Sequence, residues 1–231
     1  MKTGPTDQEY VESPVRRAQL GAQIASVLRQ DILFGRIGTG SKLSQQELCE
    51  RFGTSRMPVR DALRELVYSG LLTQDGGRHA IVAPLHRADV LDSFTIEGML
   101  SGWAARKATA VATPADIQDL ERLDDSMHES LKTGDVADLP TLNWQFHRRI
   151  NHLANSPKLL AAIRLVSLEV PRDYLAELPT WAERSNREHT EILDAMRAGD
   201  GQSAESLMVS HFTASGEGLT DYLQRRGVRL D

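Results

Sequence analysis

The 231 residues leave room for two modest domains, each with its own core, and 40% hydrophobic with 26% charged residues is ordinary for a globular protein. The N-terminal MKTGPTDQEYVESP lacks the apolar segment of an export signal, no apolar run approaches a membrane span, and Cys49 is the only cysteine, which excludes an intrachain disulfide and predicts a cytoplasmic protein with no membrane partner. The net charge of -5 hides an asymmetry: residues 14–84 carry ten Lys or Arg against six Asp or Glu, whereas residues 85–231 carry sixteen against twenty-three, a basic head suited to a polyanion on an acidic body that is not.

Residues 1–13 are polar and aperiodic and read as a disordered tail. A first helix is predicted over 15–34, with Leu20, Ile24, Val27, Leu28 and Ile32 as its buried stripe, ending near Gly35. Gly38-Thr39-Gly40 turns the chain into a short strand over 41–43, which joins a later sheet. The second helix, 44–52, opens with a Ser44/Glu47 capping box and closes at Gly53, a residue suited to a tight turn. The third starts where Thr54 and Ser55 offer capping hydroxyls and Pro58 falls in the first turn, where its missing N–H costs nothing.

Val59, Leu63, Leu66 and Val67 form one stripe of that third helix, and Arg56, Arg60 and Arg64, four apart, form another. In an arbitrary helix three such guanidiniums are a solvated charge run. Here helix, glycine turn and arginine-bearing helix follow the helix-turn-helix plan. Residues 71–73 and 80–82 read as two strands around the basic tip 75–79, a wing. A domain over 14–84 is therefore expected, followed by a linker over 85–88.

Beyond the linker strand signals almost vanish, and six helices are predicted over 89–112, 114–132, 136–154, 156 to a kink or break at Pro171, 178–197 and 201–226. Ile96, Met99, Leu100, Trp103 and Lys107 are read as one side of the first, with Trp103 inward. Thr113 caps the second ahead of Pro114. The fold class is mainly α: an N-terminal winged helix-turn-helix and a C-terminal antiparallel six-helix bundle over 89–226.

Three histidines fall on inward stripes of three different bundle helices: His147 with Leu142, Phe146 and Ile150; His189 with Ile192, Leu193 and Met196; His211 with Leu207, Met208 and Ala214. Buried imidazoles need partners, and convergence on one divalent cation would satisfy all three; separate bonds to backbone or carboxylates would also do so. His128 and His152 sit off the main stripes and are read as solvated.

The run over 16–84, with FGRIGTGSKLS, ELCERFGTSRMPVRDALRELVYSGLL and GGRHAIVAP, resembles the winged helix-turn-helix of the GntR family of bacterial transcription regulators. Residues 88–226 resemble the all-helical FCD effector domain of its FadR subfamily, in the six-helix, VanR-like form. The resemblance implies a metabolite-responsive repressor, binding a palindromic double-stranded operator as a homodimer. On that reading Arg56 and Arg60 contact base edges in the major groove, Thr54, Ser55, Arg64 and Gln46 hold the backbone, and Gly77, Arg78 and His79 place the wing.

The subfamily's metal pattern, Asp or Asn, three residues, His, then one His from each of the last two helices, is filled by Asn143, His147, His189 and His211. Zn, Ni, Mn and Fe all suit three imidazoles and one oxygen, with open positions for water or an effector oxygen. Asn143 stands where aspartate is common, so an anionic protein ligand is missing. The subfamily's effectors are often small carboxylates, and an organic acid or a related metabolite other than a simple acid is expected here. Many relatives carry an arginine and a glutamate about where this chain has Glu97 and Ser101, so Arg106 or Arg164 is the expected partner of an anionic effector, with Trp103 in the pocket wall. The alternatives are a metal-dependent, hydrolase-like enzyme and a winged-helix module that binds protein. Against the enzyme, there is no HExxH, and Glu188 projects about 100° away from His189 around its helix.

Overall fold

The computed structural model describes residues 14–75, 79–168, 170 and 179–230. The expected tail 1–13, the wing-tip residues Gly77 and Arg78, and the break expected at Pro171 lie outside the described residues. Internal contacts divide the chain into two compact units, Met1–Leu85 and His86–Asp231.

The first unit runs α1 (Pro14–Leu33), β1 (Lys42–Leu43), α2 (Gln45–Phe52), α3 (Arg56–Tyr68), β2 (Leu72–Asp75) and β3 (His79–Val82). Ser44 caps α2, its Oγ accepting the Glu47 N–H at 3.5 Å. Gly53 ends α2 in the left-handed region at φ 59°, where a Cβ would be strained, and returns its N–H to the Cys49 carbonyl. Ser55 occupies the N-cap of α3 in extended conformation but makes no side-chain cap bond, so the capping role expected of its hydroxyl is not taken up.

Ile24, Leu28 and Ile32 of α1, Leu48 of α2, Val59, Ala62, Leu63 and Leu66 of α3, and Leu72, Ala80 and Val82 of the sheet close one core. Val27, expected in the buried stripe, lies at its edge and is 39% exposed. Asp31, 4% exposed, is held by Arg51 at 2.5 Å and Arg36 at 2.9 Å. The sheet order is β1-β3-β2, antiparallel throughout, with Ile81 opposite both Lys42 and Thr73. The short strand before α2 thus joins the wing hairpin.

The second unit runs α4 (Arg87–Thr109), α5 (Pro114–Thr133), α6 (Leu139–Leu153), α7 (Pro157–Val166), α8 (Pro179–Arg197) and α9 (Gly201–Arg225). Helix α4 begins inside the stretch expected to be linker, with His86 as its N-cap. A full capping box opens α5: Thr113 Oγ1 accepts the Asp116 N–H, and Asp116 Oδ2 accepts the Thr113 N–H at 2.9 Å. Leu120 and Met127 of α5, Phe146 and Ile150 of α6, Ile192, Leu193 and Met196 of α8, and Met208 of α9 share its core. Among the described residues no helix is long and apolar enough to cross a membrane.

Helix α4 departs from its sequence reading. Ile96, Met99 and Trp103 are 46%, 58% and 53% exposed, so Trp103 is not inward. Past Val90 and Phe94 the buried face is made instead of small residues, among them Gly98, Ser101, Gly102, Ala105 and Ala108. The cause is the close approach of α9: a Cβ on Gly102 would lie 2.8 Å from the Glu205 carbonyl oxygen, and one on Gly216 the same distance from Phe94 Cβ. Gly102→Ala should therefore destabilise the second unit by about 1–3 kcal/mol, since a backbone carbonyl cannot rotate away as a side chain can. Thermal unfolding followed by circular dichroism would measure it; an unchanged midpoint would mean that α4 and α9 separate at little cost.

Candidate functional site

The second unit's core turns three imidazoles toward one point. Phe146 and Ile150 flank His147 on α6, Ile192, Leu193 and Met196 follow His189 on α8, and Met208 precedes His211 on α9, all of them buried. His189 is 0% and His211 3% exposed. The Nε2 atom of His147 lies 3.2 Å from that of His189 and 3.2 Å from that of His211. Two nitrogens each about 2.0–2.1 Å from a shared cation sit roughly 3.0–3.4 Å apart, so both of these spacings suit a shared ion, and the ligand atoms of all three histidines lie within 4.8 Å of one another.

The protonation pattern fits as well. His211 Nδ1 lies 2.8 Å from Glu188 Oε2, an acceptor that orients the ring with Nε2 toward the other two imidazoles. Burial, reinforced by the neighbouring His211, holds His147 and His189 well below the ordinary imidazole value of 6.5, so both are neutral at neutral pH. One turn before His147, Asn143 Oδ1 is buried without a hydrogen-bond partner among the described residues, an orphan acceptor of the kind a cation satisfies. Glu188 was missed as a functional residue because its rotation was judged against His189 on its own helix. It reaches across to α9, while Arg184 Nε lies 3.4 Å from its other oxygen.

A cavity of about 190 Å³ adjoins the cluster, with Glu97, His147, Asn151, Arg164, Ser167 and Phe212 in its wall. Arg148, its guanidinium 4.9 Å from the Trp144 ring centre, completes the exposed rim. Burial pushes the Glu97 carboxyl up to about 7, against the opposing effect of a hydrogen bond with Ser167. Asn151 is 9% exposed, and its Oδ1 has no partner among the described residues, an omission that costs about 1–3 kcal/mol in a protein interior.

Of the residues expected at an effector pocket, Arg164 lines this cavity and two others do not. Trp103 faces solvent on α4, and exposed Arg106 pairs with Glu205 at 3.1 Å. Ser101 is fully buried, and its Oγ has no partner among the described residues. A larger, open depression of about 710 Å³ along α5 and α6 shares Trp144, Arg148 and His152 with the cavity, but no imidazole of the cluster lines it. His128, read as solvated, is half exposed yet bonded, with Nε2 3.0 Å from Thr190 Oγ1.

In the first unit, Arg56, Arg60 and Arg64 are exposed along α3 while Val59, Ala62, Leu63 and Leu66 bury its other side. Ser55 and Gln46 are exposed, and Thr54 is half-buried; Gln46 Nε2 donates to Glu50 Oε1 at 3.3 Å. The nearby acid Glu65 is engaged by Arg29 at 2.9 Å. His79 is exposed at the start of β3.

Residues 20–82 match the family described as bacterial regulatory proteins, gntR family, and residues 92–214 match the FCD domain. The chain is 30% identical over 218 residues to the transcriptional regulator LutR of Bacillus subtilis, covering 82% of this chain and 96% of that protein. It is 26% identical over 217 residues to the transcriptional repressor RspR of Escherichia coli K12, covering 93% and 95%. Among solved structures E. coli McbR/YncC superposes with a TM-score of 0.65 at 23% identity, covering 88% of this chain and 98% of that one, a likeness of fold.

Proposed function

The chain belongs to the gntR family of bacterial regulatory proteins, with an FCD domain behind its DNA-binding head, and from that premise we propose a cytoplasmic repressor that binds a palindromic operator as a homodimer and responds to a small organic acid at a metal-holding pocket. It is a transcription regulator and not an enzyme, as are its relatives. The observation that carries the effector reading is the convergence of the three Nε2 atoms beside a cavity. His147, His189, His211 and Asn143 hold a divalent transition ion, Zn, Ni, Mn or Fe. The ion supplies a Lewis-acid position for an effector oxygen. Arg164 and Arg148 attract the anion at the rim, and Phe212 bounds the apolar side.

In the head, Arg56 and Arg60 read base edges, each able to donate two bonds to guanine, while Arg64, Thr54, Ser55 and Gln46 hold phosphates. His79, with Gly77 and Arg78, guides the wing. Effector binding acts through Glu97 on α4, the helix that begins directly after the head, and so biases how two heads meet their half-sites.

The exposed stripe Ile96, Met99 and Trp103 supports the dimer, because three large apolar side chains on one helix face cost solvation energy until a second copy covers them. Trp103→Glu is expected to shift the mass in sedimentation from twice 25.6 kDa toward 25.6 kDa and to weaken operator binding with it. A dimer undisturbed by Trp103→Glu and by Met99→Glu would place the interface elsewhere. The regulator reading as a whole is tested by selecting genomic DNA fragments with the purified protein and with Arg60→Ala. Recovery of a short palindrome by the unaltered protein alone supports it; recovery of none, with metal present or removed, defeats it.

A further inference from the structure

The cavity wall is asymmetric in a way that its metal side does not explain. Cationic groups, Arg148 and Arg164, stand exposed at the rim, but the inner wall offers oxygen acceptors. Glu97 presents a carboxyl whose hydrogen-bond partner among the described residues is Ser167, although two carboxyl oxygens have room for about four bonds. Asn151 Oδ1, on a residue nine-tenths buried, has no hydrogen-bond partner among the described residues. A second carboxylate would leave Asn151 Oδ1 unpaired and would meet Glu97, once ionised, as a like charge. A hydroxyl or an ammonium would satisfy both.

Resting on the reading of this cavity as the effector site, we infer that the effector is a small acid bearing a hydrogen-bond donor, a hydroxyl or ammonium, which Glu97 and Asn151 read, and that plain and dicarboxylic acids are discriminated against. The acid group faces the His147 side and the arginines, and the donor faces α4 and the acceptors. About 190 Å³ holds roughly six water-sized groups at ~30 Å³ each, which limits the ligand to a short carbon skeleton. Selectivity of this kind is strong, because an analogue lacking the donor leaves the wall's polar atoms unpaired.

The test is calorimetric titration of the full chain, loaded with Zn(II) and separately metal-free, with matched acids of three to five carbons: the plain acid, its 2-hydroxy and 2-amino forms, and the dicarboxylate. A hydroxy or amino acid is expected to bind at least about tenfold more tightly than its plain partner. Glu97→Leu, with folding checked by circular dichroism, should abolish that preference. Glu97→Gln separates the two donors, because a neutral amide oxygen still accepts from a hydroxyl but no longer balances an ammonium. Equal binding of plain and donor-bearing acids, tightest binding of the dicarboxylate, a preference that survives Glu97→Leu, or no binding of any acid to zinc-loaded protein would overturn the inference. Failure of zinc to bind would overturn the metal reading alone, since the donor preference is also read in the metal-free titration.

Discussion

Arg60→Ala is expected to weaken operator binding by about thirtyfold to ten-thousandfold. One bidentate arginine contact with guanine contributes about 1–3 kcal/mol of discrimination, and a two-fold symmetric dimer loses it at both half-sites. The substitution should leave the head folded, because Arg60 is exposed while the helix is anchored by Val59, Ala62, Leu63 and Leu66. Arg64→Ala offers the contrast. A residue that touches only phosphate weakens binding to every sequence alike and lowers the salt dependence of log K by about 0.9 per head. Fluorescence anisotropy on operator and scrambled duplexes, across a salt series, distinguishes the two. If Arg60→Ala weakened both duplexes equally, Arg60 would be a backbone contact and base reading would pass to Arg56.

That contrast depends on a face of α3 that was legible in the sequence. Apolar and basic residues there alternate at helical spacing, and a glycine turn with a serine-capped helix precedes them, so local chemistry and burial point the same way. The three histidines were legible for a similar reason, each lying within an apolar stripe of large residues. What escaped was set by contacts between elements. Past Phe94, helix α4 buries mainly glycine, serine and alanine because α9 comes close at Gly98 and Gly102, and the large residues Ile96, Met99 and Trp103 are left outside. A reading of hydrophobic spacing weighs large residues most and so took the wrong face for the inner one. Glu188 escaped likewise: its role is defined by His211 on the next helix, which no spacing along α8 encodes. Arg106 and Arg164 were indistinguishable as candidate anion partners until tertiary packing set one against Glu205 and the other on the cavity.

Adding Zn(II) to protein stripped by a chelator is expected to raise the thermal midpoint of the second unit by about 10 °C when free metal exceeds the dissociation constant a thousandfold. Ligand bound only by the folded state contributes about 4 kcal/mol at that excess, and a domain of this size gains about 2–4 °C per kcal/mol. The first unit has its own core and no part in the cluster, so its transition should stay where it was. His147→Ala should abolish the shift, since its Nε2 is the atom common to both 3.2 Å contacts. Glu188→Gln should lower metal affinity by about tenfold to a hundredfold while keeping the three imidazoles, as expected when a carboxylate that orients a ligand loses its charge.

The metal-free protein adds a pH signature. His147 and His189 are held below 6.5 in the folded chain and return to that ordinary value on unfolding, so below it the unfolded chain binds more protons. Stability from these two residues is therefore present above about pH 6.5 and lost as pH falls through their depressed folded values. Protons and metal compete for the same lone pairs, so zinc affinity should fall in the same direction. A midpoint indifferent to zinc in the unaltered protein, or a zinc shift that persists in His147→Ala, would leave the three imidazoles as mutually packed core residues and remove the metal from the account of how this regulator senses its effector.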